Sequence, residues 1–228
     1  TYKSVIITYD EKGNELFKTY LSKTIAVDAC VSPDNAEFAY AEVNNSGTTI
    51  QSNIKIISIK DVKEKNTEPK YEYNAVQGSL VLRIKYQDKS RLICMYDDSI
   101  HKFETGVDVE LTKLNEDNPK ITFADIELSN YVFRTYEKST SLFRADTIIE
   151  MQNTSNGKEN VYTIEEVAKS VVSNNNVIAV NLGNEVYFVE TNAWLIKRYS
   201  SSQVIEKIIL GDGVAGIIYS DKIEIVNL

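Results

Sequence analysis

The chain has 228 residues, 43% of them hydrophobic and 25% charged, which supplies a sizeable core and excludes a disordered chain. Its 25 basic and 33 acidic residues leave a net charge of −8. That balance excludes a nucleic-acid backbone or an anionic membrane surface as partner, since both need a basic face, and no run of about 18 apolar residues offers a bilayer-spanning helix.

In chain order, Ser4–Tyr9 and Glu15–Leu21 read as two strands of a hairpin. Gly13 and Asn14 between them tolerate the positive φ of a tight turn. Asp10–Glu15 has some flavour of a calcium loop but is short, and turn chemistry explains it better. Thr24–Val31 is a strand, Ser32-Pro33-Asp34-Asn35 a turn, and Ala36–Val43 and Asn53–Ile59 further strands. Asp61–Lys70 reads as a charged linker. Then a repeat emerges. Val167 onward aligns without a gap to Val204 onward, 37 positions later, and Val81 onward aligns to Val167 onward at 86. In the first pair Val186 meets Ile223 and Phe188 meets Ile225. Each copy is apolar strand, tight turn, apolar strand, short turn, alternating strand. Between them, Ile121–Leu128, Tyr131–Glu137, Asp146–Gln152 and Glu159–Ile164 form the poorest copy, with Arg134 at a position expected to face inward. Thr163–Val172 carries a capping-box pattern and helical spacing. The aligned copy ends in Gly211-Asp212-Gly213 without a helix start, so a strand is expected there.

The expected fold is all-β: a β-propeller of about five four-stranded blades. Residues 1–228 form a single domain, with repeat units at about 24–76, 80–111, 121–164, 167–198 and 204–228 and residues 1–22 as a closing hairpin. The strand count is one more than five closed blades need. The alternatives are an extra edge strand, or a chain that is an incomplete piece of a larger propeller. A β-sandwich is the competing all-β architecture, and the gap-free repeat favours the propeller.

The Ser-Pro-Asp turn and the repeats resemble WD-repeat-like β-propellers, in particular membrane-anchored surface propellers of Firmicutes. No Trp-Asp dipeptide ends a repeat, and the one tryptophan, Trp194, begins an outer strand. The resemblance implies a non-catalytic binding or scaffolding domain outside the membrane. The chain begins with Thr1 and shows no signal peptide, so the expectation is a processed or cut product whose anchor lies upstream.

Catalytic sets are sparse. His101 is the one histidine and reads as a solvated strand residue. A Ser-His-Asp or Cys-His hydrolase would have to use it, and no Gly-x-Ser-x-Gly is present. Cys30 and Cys94 lie in separate strands, as buried thiols or, alternatively, as a disulfide between neighbouring repeats. No His/Cys metal set, nucleotide loop, cofactor or metal site is expected. Asp28, inside an innermost strand, reads as a structural carboxylate bonded to backbone. A carboxylate pair across a propeller channel would make the alternative function, a glycan-active enzyme.

The remaining constellation is the turn after each second strand: Tyr96-Asp97-Asp98, Leu182-Gly183-Asn184 and Tyr219-Ser220-Asp221. In a propeller such turns share one face. Tyr96, Asp97, Asp98, Asn184, Tyr219 and Asp221 are therefore the candidate binding rim, acidic and tyrosine-bearing, for a protein or cell-surface polymer.

Overall fold

The computed structural model describes residues 2–44, 47–115 and 120–228. They group into two compact units, Thr1–Lys113 and Leu114–Leu228.

The first unit opens with β1 (Ser4–Tyr9) and β2 (Glu15–Leu21), an antiparallel two-stranded sheet. At its turn Asp10 accepts the backbone N–H groups of Lys12 and Asn14 at 2.9 and 2.8 Å, and Gly13 has φ 82°. This is the turn chemistry the sequence suggested. Next comes a four-stranded meander, β3 (Thr24–Val31), β4 (Glu37–Asn44), β5 (Gln51–Ser58) and β6 (Tyr71–Asn74). A second follows, β7 (Val81–Tyr86), β8 (Arg91–Tyr96), β9 (Ser99–Glu104) and β10 (Val107–Lys113). The two meanders share a core built from Ala41, Ile54, Tyr73, Leu92, Cys94 and Phe103. Tyr73 stacks on Phe103 at 4.2 Å.

The β1–β2 sheet packs its apolar side, Ile6, Phe17 and Leu21, on Phe38, Tyr40, Ile57 and Val62. One expectation is corrected here. The charged linker begins with a one-turn helix, α1 (Ile59–Lys63). Ser58 caps it by accepting the Asp61 N–H, and Val62 supplies the buried contact.

The second unit holds β11 (Ile121–Asp125), β12 (Tyr131–Ser141), β13 (Arg144–Asn153) and β14 (Glu159–Ile164) in one meander. Another is β15 (Ser170–Asn174), β16 (Val177–Asn181), β17 (Glu185–Glu190) and β18 (Leu195–Ser200). The last sheet has three strands, β19 (Lys207–Leu210), β20 (Val214–Ile218) and β21 (Ile223–Asn227). The repeat survives in three dimensions, since β15 and β19 start 37 positions apart, as do β16 and β20. Both first strands start three residues after the aligned valines, Val167 and Val204, which lie exposed outside them. Arg134 has a reason for its place: it stands opposite Glu150 on β13, with Nε 2.9 Å from the carboxylate. No helix forms at Thr163–Val172. Buried Thr147 pins the segment extended, its hydroxyl donating to the Glu166 carbonyl at 2.7 Å and accepting the Ala168 N–H at 2.8 Å.

Cys30 and Cys94 are free thiols, so the disulfide alternative is set aside. Burial pushes the Cys30 thiol up from 9.0 to about 12, and burial pushes Cys94 up as well. A raised thiol favours the neutral folded form. The stability this represents is intact below about pH 9 and is lost as pH rises toward about 12. Labelling with an aromatic disulfide reagent at about pH 8 should be slow in the native chain and complete at both thiols after denaturation. Rapid native labelling of Cys94 would contradict the packing described.

Candidate functional site

Of the expected rim residues, the two tyrosines are buried. Tyr96 and Tyr219 are 3% and 4% exposed and belong to the cores of their units. The Tyr96 ring stands edge-on to His101 at 5.2 Å, and burial raises its phenol above the ordinary range. The Tyr219 hydroxyl lies 2.7 Å from that of Tyr199. Asp97 and Asp98 are occupied at their turn: Asp97 accepts the Leu80 N–H at 2.7 Å, and Asp98 accepts the Ser79 and Ser99 hydroxyls at 2.6 and 2.8 Å. Asn184 and Asp221 remain exposed, and the Asn184 carbonyl accepts the Ser201 N–H. Tyr96, Asp97 and Asp98 sit in the first unit, and Asn184, Tyr219 and Asp221 in the second. Tyr96 ends β8 and Tyr219 directly follows β20, and both turn inward because a neighbouring sheet covers the face they continue, which alternation within one strand does not reveal.

His101 is also corrected. It is partly buried, with Nδ1 2.7 Å from Asp108 and Nε2 3.1 Å from the Ser99 hydroxyl. The connectivity resembles a Ser-His-Asp relay, but Ser99 is buried and its single hydroxyl proton is directed to Asp98. The group locks β9 to β10 and the preceding turn. Ser99-x-His101 is the signal that could have found it, since residues two apart on a strand share a face. Asp28 is backbone-bonded as expected, accepting the Ala29 and Ile84 N–H groups at 2.9 Å each, though it is half-buried rather than enclosed. Among the described residues, no three His, Cys, Asp or Glu side chains converge as a metal site.

The second unit presents a more open arrangement that the sequence did not reveal. Pairing of β11 with β12 reaches Tyr136, and pairing of β14 with β13 reaches Thr147. Among the described residues, the strand pairs of Glu137 to Asp146 run across their own hairpin, a finger that carries the tip of β12 and β13. At its tip Leu142 and Phe143 are 95% and 96% exposed. At its base is a pocket of about 700 Å³ lined by Phe143, Arg144, Glu165, Glu166, Tyr187 and Arg198. Arg198 is fixed there. Its Nε and Nη2 lie 2.9 and 2.5 Å from one Glu185 oxygen, and its guanidinium sits 5.2 Å from the Tyr187 ring centroid. The Glu185 hydrogen bond raises the Arg198 pKa further, so the charge is permanent. The pocket thus offers fixed positive charge, two carboxylates and aromatic surface.

The profile of one protein family, described as a family of unknown function (DUF5711), matches residues 1–228. The chain belongs to DUF5711. Among curated proteins, no relative matches it. Solved structures do match. The β-propeller domain of the Trilobed protease from Pyrococcus furiosus superposes with a TM-score of 0.59 at 11% identity, over 98% of this chain and 77% of that one. A prolyl endopeptidase gives 0.59 at 15% identity, over 96% of this chain and 34% of that one. The C-terminal WD40 domain of Sif2 gives 0.51 at 10% identity, over 100% of this chain and 76% of that one. The chain spans 63% of a matching KlHsv2 structure and about a third of the endopeptidase. At these identities the likeness concerns fold alone, and this DUF5711 chain has the fold of a β-propeller domain.

Proposed function

We propose that this chain is a non-enzymatic propeller module that recognises a protein or a cell-surface polymer through the finger and pocket of its second unit. The observation that carries the proposal is the finger tip. Holding Leu142 and Phe143 in water forgoes about 1.5–3 kcal/mol each relative to burial, and a partner that covers them recovers it. The pocket beneath adds fixed polar groups that orient a ligand. An extracytoplasmic setting is part of the proposal, supported by the resemblance to anchored surface propellers; protease accessibility on intact cells tests it.

A second reading has one specific support: Glu165 and Glu166 both line the pocket, where a glycan-active enzyme would need paired carboxylates. One experiment separates the two. The purified chain is applied to a glycan array and to isolated cell-wall polymer, and product release is followed on every ligand bound. Saturable binding without products is expected. Leu142→Ser with Phe143→Ser should weaken it about tenfold or more, the effect of losing a hot-spot anchor, and leave the melting temperature unchanged. Turnover that disappears in Glu165→Gln or Glu166→Gln would establish the enzyme. Unaltered binding by the tip variant would dismiss the finger.

A further inference from the structure

The first unit holds a cavity that the reading above does not use. Its volume is about 360 Å³, and every residue lining it belongs to that unit. Three local structures build its walls. The turn between β1 and β2 is held by Asp10, whose carboxylate accepts the Lys12 N–H, the Asn14 N–H and the Asn14 side-chain amide at 2.9, 2.8 and 2.8 Å. The turn between β3 and β4 is held by Ser32, whose hydroxyl donates to Asp34 at 2.7 Å and accepts the Glu37 N–H at 3.0 Å. The capped helix α1 supplies Ile59 and Lys63. Walls fixed in this way are in place before a ligand arrives, which lowers the ordering cost of binding.

The apolar part of the lining is Leu16, Val31, Phe38 and Ile59. Phe38 is buried beneath, whereas Val31 is 50% exposed. The charged part is Asp10, Glu11, Lys12 and Lys63. Asp10 spends both oxygens on its own turn. Among the described residues, the Lys12 and Lys63 ammoniums and the Glu11 carboxylate make no hydrogen bond or ion pair. Two uncommitted positive charges therefore meet one uncommitted negative charge at an apolar cavity.

We propose that this cavity binds a small organic monoanion, a carboxylate carried on a single ring or a short aliphatic chain. Size sets the first limit, since about 360 Å³ is at the small end of the roughly 300–1,000 Å³ typical of ligand sites. Charge sets the second: one carboxylate balances the uncommitted groups, a cation worsens the imbalance, and a neutral molecule leaves it. The apolar body covers Leu16, Val31, Phe38 and Ile59 and supplies most of the affinity. Lys12 and Lys63 are exposed, so pairing with them adds selectivity more than strength. The site uses neither the finger nor the polar pocket of the second unit, so the proposal stands apart from the reading above.

The probes are octanoate, its neutral counterpart octanol and its cationic counterpart octylamine. Each is titrated into the whole chain while backbone amide resonances are followed by NMR. Octanoate is expected to give saturable shifts over residues 8–16, 31–38 and 59–63. Octanol should bind about threefold or more weakly, and octylamine more weakly still. Lys12→Gln with Lys63→Gln should weaken octanoate about fivefold and leave octanol unchanged, a difference that loss of shape alone would not produce. Val31→Asp, at a half-exposed position, should abolish octanoate binding with little change in melting temperature. Leu142→Ser with Phe143→Ser should leave octanoate affinity unchanged. Absence of shifts in these segments at millimolar octanoate, shifts confined to the second unit, octanol or octylamine binding as tightly as octanoate, or unaltered octanoate affinity in the double lysine variant would each overturn the proposal.

Discussion

Phe188→Ala is expected to lower the unfolding free energy by about 3–5 kcal/mol, whereas Ile225→Ala, at the same place in the next repeat, should change it by less than about 0.5 kcal/mol. The two side chains occupy equivalent positions on third strands, and the sequence gives no reason to rank them. Phe188 is fully buried, in a cluster with Val186, Ile205, Ile208, Ala215, Ile217 and Tyr219. That cluster is the contact between the β15–β18 and β19–β21 sheets, so truncation leaves a cavity that two backbones hold open. Ile225 faces solvent and leaves none. Guanidinium unfolding of the purified variants measures both values, provided the slope with denaturant is unchanged. Similar losses from the two would mean that the Ile225 face is covered.

Asp28→Ala should cost about 1.5–3 kcal/mol, the range for a hydrogen bond to a charged group whose loss strands a backbone donor. The register of β3 against β4 shifts between Ala26 and Asp28, a bulge that adds Val27 and re-aims the next side chain. Re-aimed, Asp28 reaches across to β7 and accepts the Ile84 N–H at 2.9 Å. β7 is the edge of its own sheet, so that N–H has no ladder partner of its own. One carboxylate therefore ties two sheets of the first unit together. Asp28→Asn keeps an acceptor and should recover more than half of the loss. Denaturation of the three proteins at neutral pH makes the comparison. An Asn variant as unstable as the Ala variant would show that the bridging hydrogen bond is not the source of the effect.

Much of the fold was legible because its signals are local. Period-two alternation marked the strands, Gly13, Asp34 and the Asn174–Asn176 turn marked the reversals, and the repeat placed β16 and β20 to the residue. Candidate-site residues were legible only as chemistry. Asp97 and Asp98 are rim candidates by sequence, yet in the structure they accept hydrogen bonds from Leu80 and from Ser79 and Ser99 at their own turn. The finger was missed because Glu137–Arg144 is a polar stretch with two apolar residues, indistinguishable in sequence from an ordinary hairpin whose tip residues are covered.

By itself the chain's residue pattern determined the all-β class, the strand and turn positions, the 37-residue period and the backbone-bonded role of Asp28. All of these follow from alternation, turn propensity and self-similarity within a few tens of residues. Tertiary structure alone decided which member of each equivalent pair is buried: Val186 and Phe188 but not Ile223 and Ile225, and the inward tyrosines Tyr96 and Tyr219. It also decided the grouping into two units and the outreach of the β12–β13 finger. The reason is that a strand's alternation specifies two faces, while the cover on each face comes from a sheet formed elsewhere in the chain.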